Sequence, residues 1–330
     1  MRVAIIGAGA VGGTFAARLA GSDHVVEVTA RGEHLAAIRE NGIRLRGGWG
    51  DVDAVVEANE LLTARPDVAI VATKAQDAPD AIRANLAQLD GVPLLVVQNG
   101  VDGLQAAKRA APGNPVFGGL AMFAASFLSP GEITVTAPGP TFVGGDGAFT
   151  VAMTLVELEL IVVDDFPGAQ WSKLVVNQVN ALPAITGLSV QEVVAHRGLR
   201  RLLVRSMKEC VRVGVASGIR FAPISGLSHR LLRAFAIAPV VIAERLPMLM
   251  TQRMGDVPNP GSTLQSIRRG RLTEVDQLNG AVVAAGARHG VATPANALMV
   301  ELVHQVERTG VFLTPEQVLA RSAGSATSAG

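Results

Sequence analysis

In the first half of the chain, short unbroken apolar runs alternate with stretches whose apolar residues recur every three or four positions. The runs are Arg2 to Ile6, Val25 to Thr29, Val68 to Ala72 and Leu94 to Val97. Strands without polar alternation are buried on both faces, and amphipathic helices between them predict a parallel sheet covered on both sides. Met1 to about Phe166 therefore reads as a doubly wound α/β domain. Between Phe117 and Asp165, glycine and proline punctuate three further strands, Glu132 to Thr136, Thr141 to Gly144 and Leu160 to Asp164. These are expected to join the same sheet, partly antiparallel. After Pro167 the strand signals stop, and from Gln170 to Gln305 the apolar residues keep helical spacing, which predicts an all-helical second domain. The expected division is residues 1–168 and 169–330. The tail from Thr314 opens on a possible cap and ends in small residues that bury little, so it is expected to fray beyond about residue 320.

A length of 330 residues accommodates two domains, each with a sizeable core. Lys+Arg 29 against Asp+Glu 28 gives a net charge of +1, which leaves no field to attract nucleic acid or an anionic membrane. The single cysteine, Cys210, cannot close a disulfide within the chain, and the N-terminus lacks the regions of a signal peptide. A cytoplasmic protein is expected, with no bound metal. The longest uncharged apolar run, Ala234 to Ala243, contains Pro239 and falls far short of the roughly 20 residues that cross a bilayer.

Candidate chemistry begins at Gly7-Ala8-Gly9-Ala10-Val11-Gly12, directly after the first strand and directly before a helical run. A G-x-G-x-x-G turn there supplies a tight turn, backbone approach to a pyrophosphate and close helix packing, and the helix N-terminus offers free N–H groups to phosphate. The end of the second strand lies beside the adenosine ribose in such folds. It carries Arg31, whereas Glu27 sits mid-strand, so a guanidinium for a 2′-phosphate is favoured and NADP is expected over NAD. Lys74 and Asn99 follow two other apolar strands, at the ends where open α/β sheets bind ligands.

In the second half, Trp171 to Asn180 reads as a helix. At 100° per residue, Lys173, Asn177 and Asn180 fall within about 60° of one another. The rest of that helix is apolar, so the stripe is expected to line an internal cleft, where a desolvated lysine could release a proton near neutral pH. Further on, Ser262 lies in Gly261 to Ile267, and Thr273 can cap a helix whose first turn carries Glu274 and Asp276. Acids there often only face the helix dipole, so spacing alone leaves the role of Glu274 open.

Taken together, these segments resemble the ketopantoate reductase family (2-dehydropantoate 2-reductase). The resemblance runs through GAGAVG, T-K-A (Thr73 to Ala75), Q-N-G (Gln98 to Gly100), K-L-x-x-N (Lys173 to Asn177), G-R-L-T-E-V-D-Q-L-N-G (Gly270 to Gly280) and H-G-V-A-T-P (His289 to Pro294). It implies a Rossmann domain joined to an all-helical domain, NADPH as hydride donor, a small 2-oxo acid substrate, an active site between the domains and a homodimer. It further implies Lys173 as general acid, with Glu274 as a partner for the substrate and for that lysine. Asn99, Asn177, Asn180 and Ser262 would hold substrate, and Gly7 to Gly12, Arg31, Lys74, Asn99 and Glu274 would contact the cofactor. Two departures bear on the substrate. Ala181 stands where the family usually has a second asparagine, one residue after Asn180, and Ser266 stands where aspartate is usual. Overwinding of the helix before Pro183 could bring Asn180 into the missing place. The rival readings are a reductase of another small oxo acid or imine on the same scaffold, and an NADP-binding regulatory protein without catalysis.

Overall fold

The computed structural model of the chain describes residues 1–224, 226–254 and 257–327. It divides into two compact units, Met1–Phe166 and Pro167–Gly330. The strands of the first unit are, in chain order, β1 (Arg2–Ile6), β2 (Val25–Thr29), β3 (Ile43–Gly47), β4 (Val52–Ala54), β5 (Glu57–Asn59), β6 (Val68–Val71), β7 (Leu94–Val97), β8 (Val116–Ala121), β9 (Ala124–Ser129), β10 (Glu132–Ala137), β11 (Thr141–Gly144) and β12 (Leu160–Val162). Eight form one sheet in the order β12-β11-β8-β7-β6-β1-β2-β5. From β8 to β5 all neighbours are parallel, β11 runs antiparallel to β8, and β12 is parallel to β11. The chain leaves β1 toward β2 and β5 on one side and resumes at β6, β7 and β8 on the other. That reversal is the topological switch of dinucleotide folds, and ligands sit outside the carboxyl ends of the strands flanking it, here β1 and β6.

The strand Glu132 to Thr136 does not join this sheet, contrary to the expectation from sequence. As β10 it belongs to a second, four-stranded sheet of order β4-β3-β10-β9. The reason is visible in the side-chain period. β6 and β7 are buried at every position, whereas β3 and β10 alternate, with Ile43, Leu45, Ile133 and Val135 buried and Arg44 exposed. A strand with one wet face belongs to a one-sided sheet. The apolar face of this small sheet covers the helix Ala10–Ala20, whose opposite side packs on β1 and β2. Phe15 of that helix meets Phe123 edge-to-face with centroids 5.5 Å apart, and the Arg18 guanidinium lies 4.4 Å over the Trp49 ring. The helix that follows the glycine turn is thus held from both sides.

The second unit is helical. Its long central helix, Arg197–Ala216, packs on His229–Ile237, Pro294–Thr309 and Pro315–Thr327. The helix expected over Trp171 to Asn180 runs as an α-helix from Phe166 to Asn177 and then tightens to a 3₁₀ turn, Gln178–Asn180, before the helix Ala181–Thr186. The last helix is Pro315–Thr327, with Val318 and Ser322 buried. Residues 328–330 lie outside the described residues.

His304, on the helix Pro294–Thr309, fastens the segment around Glu274. Its Nε2 lies 3.0 Å from Asp276 Oδ1 and its Nδ1 2.8 Å from Glu307 Oε2, while Glu307 Oε1 accepts the Thr273 N–H at 2.7 Å. Burial alone would lower the imidazole pKa, but the bonds to the two carboxylates outweigh it and raise it above the usual value. A raised folded-state pKa adds stability that is complete below the unfolded value, about 6.5, and is lost as pH climbs through the folded one. Thermal unfolding of wild type and His304→Gln should therefore differ most below about pH 6.5 and converge as pH rises through the alkaline range. A difference that stays constant with pH would mean that the ring packs as a neutral group.

Candidate active site

In the first unit the site is built where β1 stops. Gly7 has φ +96°, and a Cβ there would come within 2.6 Å of Thr73 Cγ2 and 2.9 Å of Thr73 N, the turn after β6. A Cβ on Gly12 would lie 2.0 Å from the Gly7 carbonyl oxygen, whereas one on Gly9 would meet nothing within 4 Å. The two outer glycines thus close the turn, and the middle one faces open space. The helix Ala10–Ala20 has no side-chain cap and no acid in its first turn. Its first N–H groups and positive dipole end therefore point at a site for an anion. Beside them, the buried Thr73 Oγ1 has no hydrogen-bond partner among the described residues. The donor set and the unfilled space fit a dinucleotide pyrophosphate.

Neighbouring side chains fix this turn. Thr29, at the end of β2, accepts the Gly7 N–H on Oγ1 at 3.0 Å and the Ala8 N–H on its carbonyl at 3.1 Å. His34 was not singled out in the sequence. Its Nδ1 accepts the Gly131 N–H at 3.0 Å, so Nε2 carries the proton and donates to the Ala8 carbonyl at 2.7 Å. Burial lowers its pKa, only partly offset by the Ala8 bond, which keeps the ring neutral as this arrangement requires. No local signal marks it, because the ring reaches back from the first turn of the helix Gly32–Asn41 to a loop distant in sequence.

Arg31 caps that same helix, after the end of β2, and is exposed. Glu27 is 1% exposed and fully engaged: it accepts from Thr63 N at 2.7 Å, Thr63 Oγ1 at 2.8 Å, Asn59 Nδ2 at 3.1 Å and Arg2 Nη1 at 3.3 Å. Its carboxylate is spent on joining β1, β2 and the chain beyond β5. Lys74 and Asn99 are half-buried at the ends of β6 and β7, and Gln98 Nε2 ties their two loops by donating to the Thr73 carbonyl at 3.1 Å.

In the second unit, Lys173 and Asn177 lie one turn apart on the helix Phe166–Asn177. Desolvation of the Lys173 ammonium pushes its pKa down to about 8, partly opposed by the Glu274 carboxylate. Glu274 comes from the segment just before a π-helical turn, Asp276–Gly280. The tightened turn Gln178–Asn180 advances about 120° per residue, which brings Asn180 under Asn177 at the i, i+3 spacing. Asn180 Oδ1 accepts the Ser262 N–H at 3.3 Å, in the first turn of the helix Gly261–Arg268. Lys173 and Glu274 are therefore electrostatic partners, and Asn180 is joined to Ser262. Ala181 is buried at 1%, and Ser266 Oγ bonds back to the Ser262 carbonyl at 3.3 Å.

The contrast between two glycines is testable. Gly9→Ala should unfold at the wild-type temperature yet weaken dinucleotide binding about tenfold or more, since its Cβ enters only the ligand's space. Gly12→Ala should lower the unfolding temperature itself, by the 1–3 kcal/mol of an overpacked contact. Thermal melts and equilibrium titration of NADPH check both, and undiminished binding by Gly9→Ala would move the pyrophosphate elsewhere.

Comparison with known proteins identifies the family. The family model described as ketopantoate reductase PanE/ApbA matches residues 3–146, and its C-terminal counterpart matches residues 165–307. A 2-dehydropantoate 2-reductase from Caulobacter vibrioides is 31% identical over 92% of this chain and 98% of its own length, and one from Halobacterium salinarum is 27% identical over 94% and 100%. Among solved structures, a PanE/ApbA family ketopantoate reductase from Ralstonia eutropha JMP134 superposes with TM-score 0.77 at 27% identity, covering 93% of this chain and 99% of that one. D-mandelate dehydrogenase in complex with NADH shares the fold, with TM-score 0.76 at 24% identity over 94% and 99% of the two chains. With its glycine turn, its lysine and glutamate, and both family models matched in order, the chain belongs to the ketopantoate reductase family of oxidoreductases.

Proposed function

We propose that the protein reduces a 2-oxo acid with NADPH, ketopantoate to pantoate in the first place, with Lys173 as general acid. The observation that carries this reading is the desolvated Lys173 ammonium paired with Glu274, whose pKa near 8 suits proton transfer at neutral pH. NADPH, once bound, supplies the hydride for the carbonyl carbon. Gly7 to Gly12 hold its pyrophosphate, Arg31 takes the 2′-phosphate, and Lys74 and Asn99 serve the nicotinamide end. The engaged state of Glu27 supports NADPH over NADH, because the one acid on β2 is buried and already bonded to Thr63, Asn59 and Arg2. Lys173 then protonates the oxygen as it becomes an alkoxide and stabilises its charge beforehand. Glu274 orients the ammonium and carries a substrate hydroxyl, while Asn177, Asn180 and Ser262 hold the remaining polar groups.

The buried Ala181 favours a second substrate reading. A pocket lacking one amide rejects analogues without a hydroxyl less strongly, so 2-oxo acids such as 2-oxoisovalerate enter the comparison. The exposed Ile237, Val241, Ile242 and Leu249 of the helical unit support a homodimer formed through that unit, and the single cysteine suits work in the cytoplasm.

Arg31→Ala should weaken NADPH binding by about 1.5 to 3 kcal/mol, the value of hydrogen bonds to a charged group, and leave NADH binding unchanged. Equal losses for both cofactors would reduce the arginine to a surface charge.

Oxidation of NADPH by purified protein with ketopantoate tests the function directly. The acid must be protonated to act, so kcat/KM for reduction should be level below about pH 8 and fall above it. Lys173→Ala should cut kcat by about 10² to 10⁴ with NADPH binding nearly intact. Faster turnover of 2-oxoisovalerate than of ketopantoate would favour the second substrate, and no oxidation with any branched 2-oxo acid would leave a regulatory protein.

A further inference from the structure

Behind Lys173 and Glu274 lies a chain of buried polar side chains that the reaction itself does not use. Gln178 follows the lysine helix, five residues after Lys173 and on a different face. Its Nε2 donates to the Leu174 carbonyl at 3.2 Å, which turns Oε1 toward the core to accept from Ser206 Oγ at 2.6 Å and from Asn279 Nδ2 at 2.8 Å. Asn279 stands five residues after Glu274, inside the π-helical turn. Its amide also donates to Asn296 Oδ1 at 3.0 Å. Asn296 Nδ2 donates in turn to Glu209 Oε2 at 2.7 Å and to the Ser206 carbonyl at 3.1 Å. Glu209 closes the chain by accepting the Ala295 and Asn296 N–H groups, both at 2.9 Å, at the N-terminus of the helix Pro294–Thr309.

All five side chains are buried, and the network links four separate segments. An apolar core would fill the same space with no desolvation cost, so hydrogen bonds of this kind contribute direction more than stability. The direction here is specific. Ordinary α-helix spacing is interrupted at both anchors: Gln178 opens the 3₁₀ turn, and Asn279 sits within the π turn. A helix that changes pitch has no unique register from apolar packing alone, and π turns occur mainly where a side chain must be re-aimed.

We propose that Gln178 and Asn279 are positioning residues, whose mutual hydrogen bond sets the register of the Lys173 helix against the Glu274 segment. The bond keeps the ammonium enclosed and facing the carboxylate. This rests on the reading of Lys173 as proton donor, and it gives a place to two motifs that no contact with substrate explains, L-N-G and the asparagine following H-G-V-A-T-P.

The chain has four lysines, Lys74, Lys108, Lys173 and Lys208, so side-chain NMR of lysine-labelled protein resolves each, with Lys173 assigned from Lys173→Arg. The double variant Gln178→Met/Asn279→Leu keeps volume and removes both polar partners, so the fold should survive with a small change in unfolding temperature. Lys173 should titrate near 8 in wild type and about one pH unit or more higher in the double variant, as water reaches the loosened ammonium. The high-pH fall of kcat/KM should move with it. Ser206→Ala leaves the Gln178 to Asn279 bond in place and should leave the Lys173 titration unchanged. If the double variant does not fold, Gln178→Met alone is read by the same criterion. A folded variant with an unmoved Lys173 overturns the positioning role while leaving the lysine's assignment intact. A wild-type Lys173 that titrates in the ordinary lysine range overturns the assignment and the positioning role together.

Discussion

A lysine that is to give up a proton near neutral pH has to be kept from water without losing its counter-charge. Burial alone would drive the ammonium to neutrality, and a tightly held carboxylate alone would keep it charged far above neutral pH. Lys173 sits between these limits, with desolvation the larger influence and Glu274 the smaller. Several hydrogen bonds of the helical unit bear on that balance. His304 and Glu307 hold the chain on either side of Glu274, at Thr273 and Asp276. The buried amides behind the site fasten the lysine helix to the same segment. Polar groups that look expensive inside a core are therefore concentrated where a charge has to be held at one distance from another.

The α/β unit solves a different problem with similar means. A pyrophosphate needs several backbone N–H groups presented at once, and a loose turn would lose that presentation to chain entropy. Here the turn is closed by contact with Thr73, held from one side by Thr29 and from the other by His34, and followed by a helix pinned between two sheets. The small sheet is thus more than an excursion between strands of the main one. Gly131, in its β9 to β10 turn, supplies the N–H that sets the His34 tautomer, and with it the proton that holds the Ala8 carbonyl.

Much of this was legible in the sequence, and the exceptions have common physical causes. Strands buried on both faces announce themselves as unbroken apolar runs, so β1, β2, β6 and β7 were found nearly residue for residue. The strands missed were β3, β4, β5 and β8, which are short, charged or glycine-bearing, and β9, whose alanines and serines leave no apolar run, while β10 was assigned to the wrong sheet although its alternation of Ile133 and Val135 with polar residues was there to be read. The chemistry of Gly7 to Gly12 is local and therefore readable. The roles of Gln178, Asn279 and His34 depend on partners 26 to 101 residues away, which no periodicity reports. Glu274 shows the boundary between the two kinds of residue. Its position at the start of a helical stretch is written in the chain, but its pairing with Lys173 is a tertiary fact.

Reduction by this site depends most on Lys173 facing the oxygen that is protonated. A crystal structure of the protein with NADP⁺ and pantoate would place that oxygen directly. Lys173 Nζ should lie within about 3.2 Å of the pantoate 2-hydroxyl oxygen, with the Glu274 carboxylate beside it. A complex in which another donor occupies that position, with the Lys173 side chain turned away from the ligand, would contradict it.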